Sequence, residues 1–95
     1  MRRDEVLTKL RALKPWMAQQ GIARVRLFGS YARDDARPDS DLDLLVELSR
    51  PLGLDQFRIE DELSTKLGVK VQMVTDAALT NRIVREHALA EAIDA

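Results

Sequence analysis

Along the chain, Val6, Leu7, Leu10, Leu13 and Met17 recur at helical spacing, which predicts an amphipathic helix over residues 3–20. Pro15 is expected to end or kink its last turn, and Gly21 to close it. Residues 23–28, ARVRLF, alternate Val25 and Leu27 with Arg24 and Arg26, the period of a half-buried strand. Gly29-Ser30 then turns the chain, and YARDD is expected to begin a short helix. Residues 36–40, ARPDS, read as a loop by their Pro, Asp and Ser content. Residues 41–48 follow as a second strand and form the most hydrophobic stretch. Asp55 is a candidate N-cap for a helix reaching Leu67, with Leu54, Phe57, Leu63 and Leu67 apolar and Gly68 as its stop. VKVQMV, residues 69–74, predicts a third strand, and Asp76 or Thr80 is expected to cap a final helix through Ala92.

The order α-β-(α)-β-α-β-α describes an α/β (α+β) fold, a small mixed sheet of about three strands flanked by helices. Ninety-five residues suffice for one core and not for two, so residues 1–95 are expected to form a single domain. A composition of 45% hydrophobic and 33% charged residues fits a globular chain rather than a disordered one. The absence of cysteine excludes disulfides and thiolate metal sites. MRRDEVLTKL lacks the apolar core of a signal peptide, and no apolar run approaches membrane-spanning length. The expected location is the cytoplasm.

Charge changes this picture in one place. Net charge is −1, yet residues 1–30 carry seven basic and two acidic side chains, whereas residues 31–65 carry four basic and ten acidic ones. A nucleic-acid binder would show a dominant basic surface. The concentration of acid here favours a cation as partner and makes nucleic acid an improbable one.

Within that acidic region, Asp41 and Asp43 interrupt the hydrophobic run Leu42, Leu44, Leu45, Val46 and Leu48. Side chains alternate along a strand, so Asp41, Asp43, Leu45 and Glu47 share one face, the two aspartates roughly 7 Å apart along the backbone. Side by side they repel and raise one another's pKa. A hard cation relieves that repulsion, and oxygen ligands suit Mg²⁺ or Mn²⁺. The competing explanation is an edge strand whose polar face meets water. Gly29-Ser30 shifts the balance: between a strand and a helix, exposed backbone N–H groups receive phosphate, glycine allows close approach and serine adds a donor. Mg²⁺ is commonly held by one or two carboxylates plus substrate phosphates. Turn and strand together describe a Mg-nucleotide site.

These residues, G-S-x-A-R followed by S-D-x-D-L on a hydrophobic strand, resemble the signature of the minimal nucleotidyltransferases of the DNA polymerase β superfamily. The likeness spans nearly the whole chain, including the final R-I-V-R-E helix. It implies the nucleotidyltransferase (polymerase β-like) fold and Mg²⁺-dependent transfer of AMP from ATP, with pyrophosphate leaving. It implies Gly29 and Ser30 on the triphosphate and Asp41 and Asp43 on the metals; Arg33, by its own chemistry, is a further candidate for a phosphate. Many such proteins are antitoxins of HEPN-domain ribonuclease toxins, and some modify their toxin by AMPylation; a HEPN toxin is therefore the expected partner.

The chain departs from the pattern at one position. The family's third carboxylate lies on the strand after the long helix, where this chain reads Val71-Gln72-Met73-Val74. Gln72 offers a carbonyl oxygen but neither charge nor a base near neutral pH. Nucleotide binding is expected to persist while transfer weakens, which leaves open an antitoxin that acts by binding alone. Neither Glu47, roughly 13 Å along the strand from Asp43, nor Asp76, past the third strand, is expected to substitute. Arg33 has an alternative in pairing with Asp34 or Asp35, and Tyr31 in covering the short helix rather than the base or ribose. Ser40 is expected to turn the chain into its strand. His87, on the stripe Leu79, Ile83, Val84, Ala88, is expected to be packed or to face a partner, and Trp16 to serve as core or as an interface anchor. A chain this short is expected to turn some apolar stripes toward another subunit, its own copy or a different protein.

Overall fold

The computed structural model describes residues 1–75, 78 and 81–95. The chain runs α1 (Arg3–Gln19), β1 (Ile22–Phe28), β2 (Leu42–Leu48), α2 (Asp55–Leu67), β3 (Val71–Thr75), α3 (Arg82–Glu91) and β4 (Ile93–Asp94). The strands form one mixed sheet in the order β3-β2-β1-β4. β1 is antiparallel to β2 and to β4, whereas β2 and β3 are parallel. The parallel pair is possible because α2 supplies the crossover that two such strands require. A fourth, two-residue strand therefore joins the three that the sequence predicts.

The apolar periodicity of the sequence becomes one core. Val6, Leu7, Leu10 and Met17 of α1 and Ile59, Leu63 and Leu67 of α2 cluster with Val25, Leu27, Leu42, Leu44, Val46, Val71 and Met73 of the sheet. These strand positions alternate, so they lie on one face and both helices cover it. Leu45 and Ala88 are also buried but stand outside that cluster, and Leu45 belongs by alternation to the sheet's other face.

Several local expectations are corrected. Pro15 does not end α1, which runs to Gln19 much as the predicted helix over residues 3–20 does, and Met17 beyond the proline is fully buried. Asp55 is the first residue of α2 rather than its cap; Leu54 occupies the cap position and makes no side-chain capping bond. Residues 29–34 form turns, not a short helix. The caps considered for the last helix, Asp76 and Thr80, lie outside the described residues. In α3 the side-chain oxygen of Asn81 accepts the Ile83 N–H at 3.0 Å. Gly68 ends α2 in the left-handed conformation, as its sequence position suggests.

β3 is an edge strand, and α2 closes that edge. The Ser64 hydroxyl accepts the Val71 N–H at 2.9 Å, and the Glu60 carboxylate accepts the Met73 N–H at 2.8 Å. Positions i and i+4 of the helix thus match positions i and i+2 of the strand, satisfying donors that an open edge would expose. Glu60→Ala is expected to destabilise the fold by about 1–2 kcal/mol, since a half-buried N–H loses a charged acceptor. Urea unfolding checks this, with the exposed neighbour Asp61→Ala expected to change stability by less than about 0.5 kcal/mol.

Candidate active site

The site forms where β1 ends and β2 begins. Register places Phe28 opposite Asp43, and Asp43 beside Gln72 on the parallel neighbour. Paired positions share a face, so Phe28, Asp43 and Gln72 make one row across three strands. Asp41 immediately precedes β2 and lies on that same side by alternation. The structure thus places Gln72 next to Asp43 on the same face of the sheet. Gln72 is exposed, whereas Asp41 and Asp43 are half-buried.

Gly29 follows Phe28 and lies against Asp43. Its φ is +76°, and a Cβ built there would lie 2.5 Å from Asp43 Oδ2. Only glycine allows the turn and the carboxylate to approach so closely. The turn closes by hydrogen bonds from the Arg33 N–H to the Gly29 carbonyl at 3.1 Å, Asp34 N–H to Tyr31 at 3.2 Å and Asp35 N–H to Ser30 at 2.9 Å. Asp34 supports it in the left-handed region at φ +60°, which aspartate tolerates. The N–H groups of Ser30, Tyr31 and Ala32 donate to no other group among the described residues. A single closed turn therefore leaves the same free leading donors as a helix start, the arrangement that accepts phosphate oxygens.

The electrostatics favour a cation. Partial burial, followed by the Asp41 carboxylate, pushes the Asp43 carboxyl above its ordinary range, and Arg33 opposes the shift. A divalent cation between the two acids would relieve both effects. Among the described residues no third acid, histidine or cysteine joins them to make a protein cage. Two carboxylates with no closed cage suit Mg²⁺, which completes its shell with water and substrate phosphates.

The remaining candidates take distinct places. Arg33 Nε donates to Asp35 at 3.3 Å and its Nη1 to Glu91 at 3.0 Å, so Asp35, not Asp34, is its neighbour on the turn. Glu91, near the end of the chain, carries no local sequence signal for this role. Tyr31 is buried in the core cluster. Ser40 accepts the Arg37 N–H at 2.9 Å through its hydroxyl and shapes the loop before β2. Glu47 pairs with Arg26 at 3.0 Å and Arg24 at 3.6 Å, which accounts for its charge away from the site. Asp76 lies outside the described residues. His87 is exposed rather than packed. Of its stripe, Ile83 is exposed and Ala88 buried, while Leu79 and the Val84 side chain fall outside what is described. Trp16 packs partly buried against the core, with Lys66 Nζ 5.0 Å from its ring centre. Among the described residues no helix is long and apolar enough to cross a membrane.

The sequence and the fold match those of known proteins. The model of the nucleotidyltransferase domain family matches residues 4–93. A Thermococcus cleftensis protein named protein adenylyltransferase MntA is 32% identical over 84 residues, 86% of this chain and 85% of its own. A Methanocaldococcus jannaschii relative, provisionally named protein adenylyltransferase MJ0435, is 34% identical over 88% of this chain and 90% of its own. A solved structure provisionally described as a minimal nucleotidyltransferase superposes with a TM-score of 0.80 at 44% identity, over 98% of this chain and 95% of that one. A toxin–antitoxin crystal structure with AMP-PNP has a TM-score of 0.68 at 18% identity, over 99% of this chain and 72% of that one; at that identity the fold alone is shared. With the carboxylate row, the glycine-serine turn and these relatives in agreement, the chain belongs to the nucleotidyltransferase domain family, among its minimal nucleotidyltransferases.

Proposed function

We propose that this protein binds ATP with Mg²⁺ and transfers AMP to a protein partner, acting as the antitoxin of a HEPN-domain ribonuclease toxin in the cytoplasm. One observation carries the reading: Gly29 lies so close to Asp43 that a phosphate-binding turn and a carboxylate pair share one site. The Ser30 hydroxyl, the free N–H groups of the turn and the Arg33 guanidinium are suited to the triphosphate. Asp41 and Asp43 are suited to Mg²⁺, with Mn²⁺ as a substitute. When bound, the cation offsets phosphate charge and makes the α-phosphorus easier to attack. An oxygen of the partner forms the new bond to that phosphorus and gives up its proton, while the bond to the β-phosphate oxygen breaks and pyrophosphate departs. The relatives named as adenylyltransferases support AMP as the transferred group. The toxin–antitoxin complexes of similar fold support a toxin as acceptor.

Gln72 favours a second reading. It is the register partner of Asp43, at a place where a carboxylate would serve a second cation and take the nucleophile's proton. On this reading the protein neutralises its toxin by binding, with transfer weak. Intact-mass spectrometry of the co-purified partner after incubation with ATP and Mg²⁺ separates the two. An AMP-sized gain that disappears with Asp41→Ala plus Asp43→Ala establishes transfer. An unmodified partner at saturating nucleotide, with cells still protected by that folded double variant, establishes the second reading. Failure of the wild-type protein to bind Mg-ATP in calorimetry would reject the nucleotide site itself.

A further inference from the structure

We propose that Glu91 is a positioning residue that holds Arg33 away from Asp41 and Asp43, keeping the carboxylate pair open to a divalent cation. The inference rests on the reading of those two aspartates as cation ligands.

The backbone of Arg33 is fixed next to the site. Its N–H bonds the Gly29 carbonyl, and Gly29 itself lies against Asp43. A guanidinium beside two partly desolvated carboxylates tends to fork onto them, since bidentate pairing with carboxylate matches its geometry. That arrangement would place a cationic group where the metal ion belongs. The side chain instead turns aside, with Nε on Asp35 and Nη1 on Glu91.

Of these two partners, Glu91 is the one anchored independently of the turn. Asp35 stands two residues from Arg33 on the same loop and is more exposed than Glu91, at 59% against 38%. Glu91 is the last residue of α3, and the Ala92 N–H bonds the Ala88 carbonyl at 3.0 Å just beyond it. The chain then returns as β4 against β1. Arg24 grips Asp94 through two hydrogen bonds of 2.9 and 2.8 Å, and the Ala95 N–H bonds the Val25 carbonyl at 3.2 Å. Glu91 is thus a fixed post, held by a helix on one side and a strand on the other. One N–H group of Arg33 is engaged by Glu91 and one by Asp35, leaving three of a guanidinium's five for an incoming triphosphate.

Mn²⁺ binding by the nucleotide-free full chain, read by electron paramagnetic resonance, tests this in wild type, Glu91→Gln, Arg33→Ala and the double variant. Glu91→Gln is expected to weaken Mn²⁺ binding about three- to fivefold, the scale on which a freed exposed guanidinium competes for a carboxylate. Arg33→Ala is expected to bind Mn²⁺ at least as tightly as wild type. In the Arg33→Ala background the Glu91→Gln change is expected to have an effect smaller than about twofold, because the competitor is gone. Equal affinity of wild type and Glu91→Gln would overturn the inference. So would an equal weakening with and without Arg33, which is what lost packing or lost bulk charge produces. Wild-type protein that binds no Mn²⁺, or that binds it unchanged after Asp41→Ala plus Asp43→Ala, would instead remove the carboxylate reading on which the inference stands.

Discussion

Gln72→Asp is expected to raise AMP transfer about a hundredfold, the lower range of what a positioned general base contributes. Gln72 is the register partner of Asp43 on the parallel strand and is exposed, so a shorter acid fits there without disturbing the core. It would add negative charge for a second cation and an acceptor for the nucleophile's proton. The gain has a cost in the metal-free protein. Burial and Asp41 already push the Asp43 carboxyl up, and a third acid adjacent to it adds like-charge repulsion of about 1 kcal/mol. Magnesium should remove that penalty, so the rise in Tm on adding Mg²⁺ is expected to be larger for Gln72→Asp than for wild type. Transfer rate to the partner and thermal melting with and without Mg²⁺ are the measurements. Unchanged transfer together with an unchanged response to Mg²⁺ would show that position 72 does not reach the bound ion.

Gly29→Ala is expected to cut Mg-ATP affinity at least about tenfold and to destabilise the fold by about 1–3 kcal/mol. Part of that cost is backbone strain at φ +76°, where an L side chain loses about 1–2 kcal/mol. The rest is local. The new methyl would meet Asp43 Oδ2 at 2.5 Å, so either the carboxylate swings off its cation position or the turn opens. Gly53→Ala separates the two contributions. Gly53 has φ +55° with no atom within 4 Å of its Cβ position, so the substitution carries strain without collision. It should lose only the strain part, about 1–2 kcal/mol, and retain nucleotide affinity. Calorimetric titration with Mg-ATP beside urea unfolding of both variants decides the matter. Equal affinity loss in both would place the effect in the fold rather than in the contact between turn and carboxylate.

Residues acting within their own segment were legible before any coordinates. Helical spacing in Val6, Leu7, Leu10 and Met17 and in Leu63 and Leu67 corresponds to helices that bury those side chains. The acids at 41 and 43 and the glycine-serine turn are local patterns with local chemistry, and they meet at one end of the sheet. Expectations went astray in two segments. Leu54 and Phe57 read as apolar positions of the second helix, yet both are exposed. YARDD predicts a helix, but the turn closes through an Asp35 N–H on the Ser30 carbonyl and does not propagate.

Register and long-range pairing belong to the tertiary structure. No pattern in VQMVT states that Gln72 stands beside Asp43 rather than one residue away, because β-pairing is settled by which faces both strands bury. Nothing around Ile93–Asp94 predicts a strand; Arg24, Arg26 and the backbone of β1 create it by offering partners. The contact between Arg33 and Glu91 spans 58 residues and has no signal in either segment. The chain by itself determined which groups are present and how each segment prefers to fold, since those follow from side-chain chemistry and short-range periodicity. Which of those groups face one another was decided by the sheet, whose burial of a common core sets distances that neighbours in sequence cannot encode.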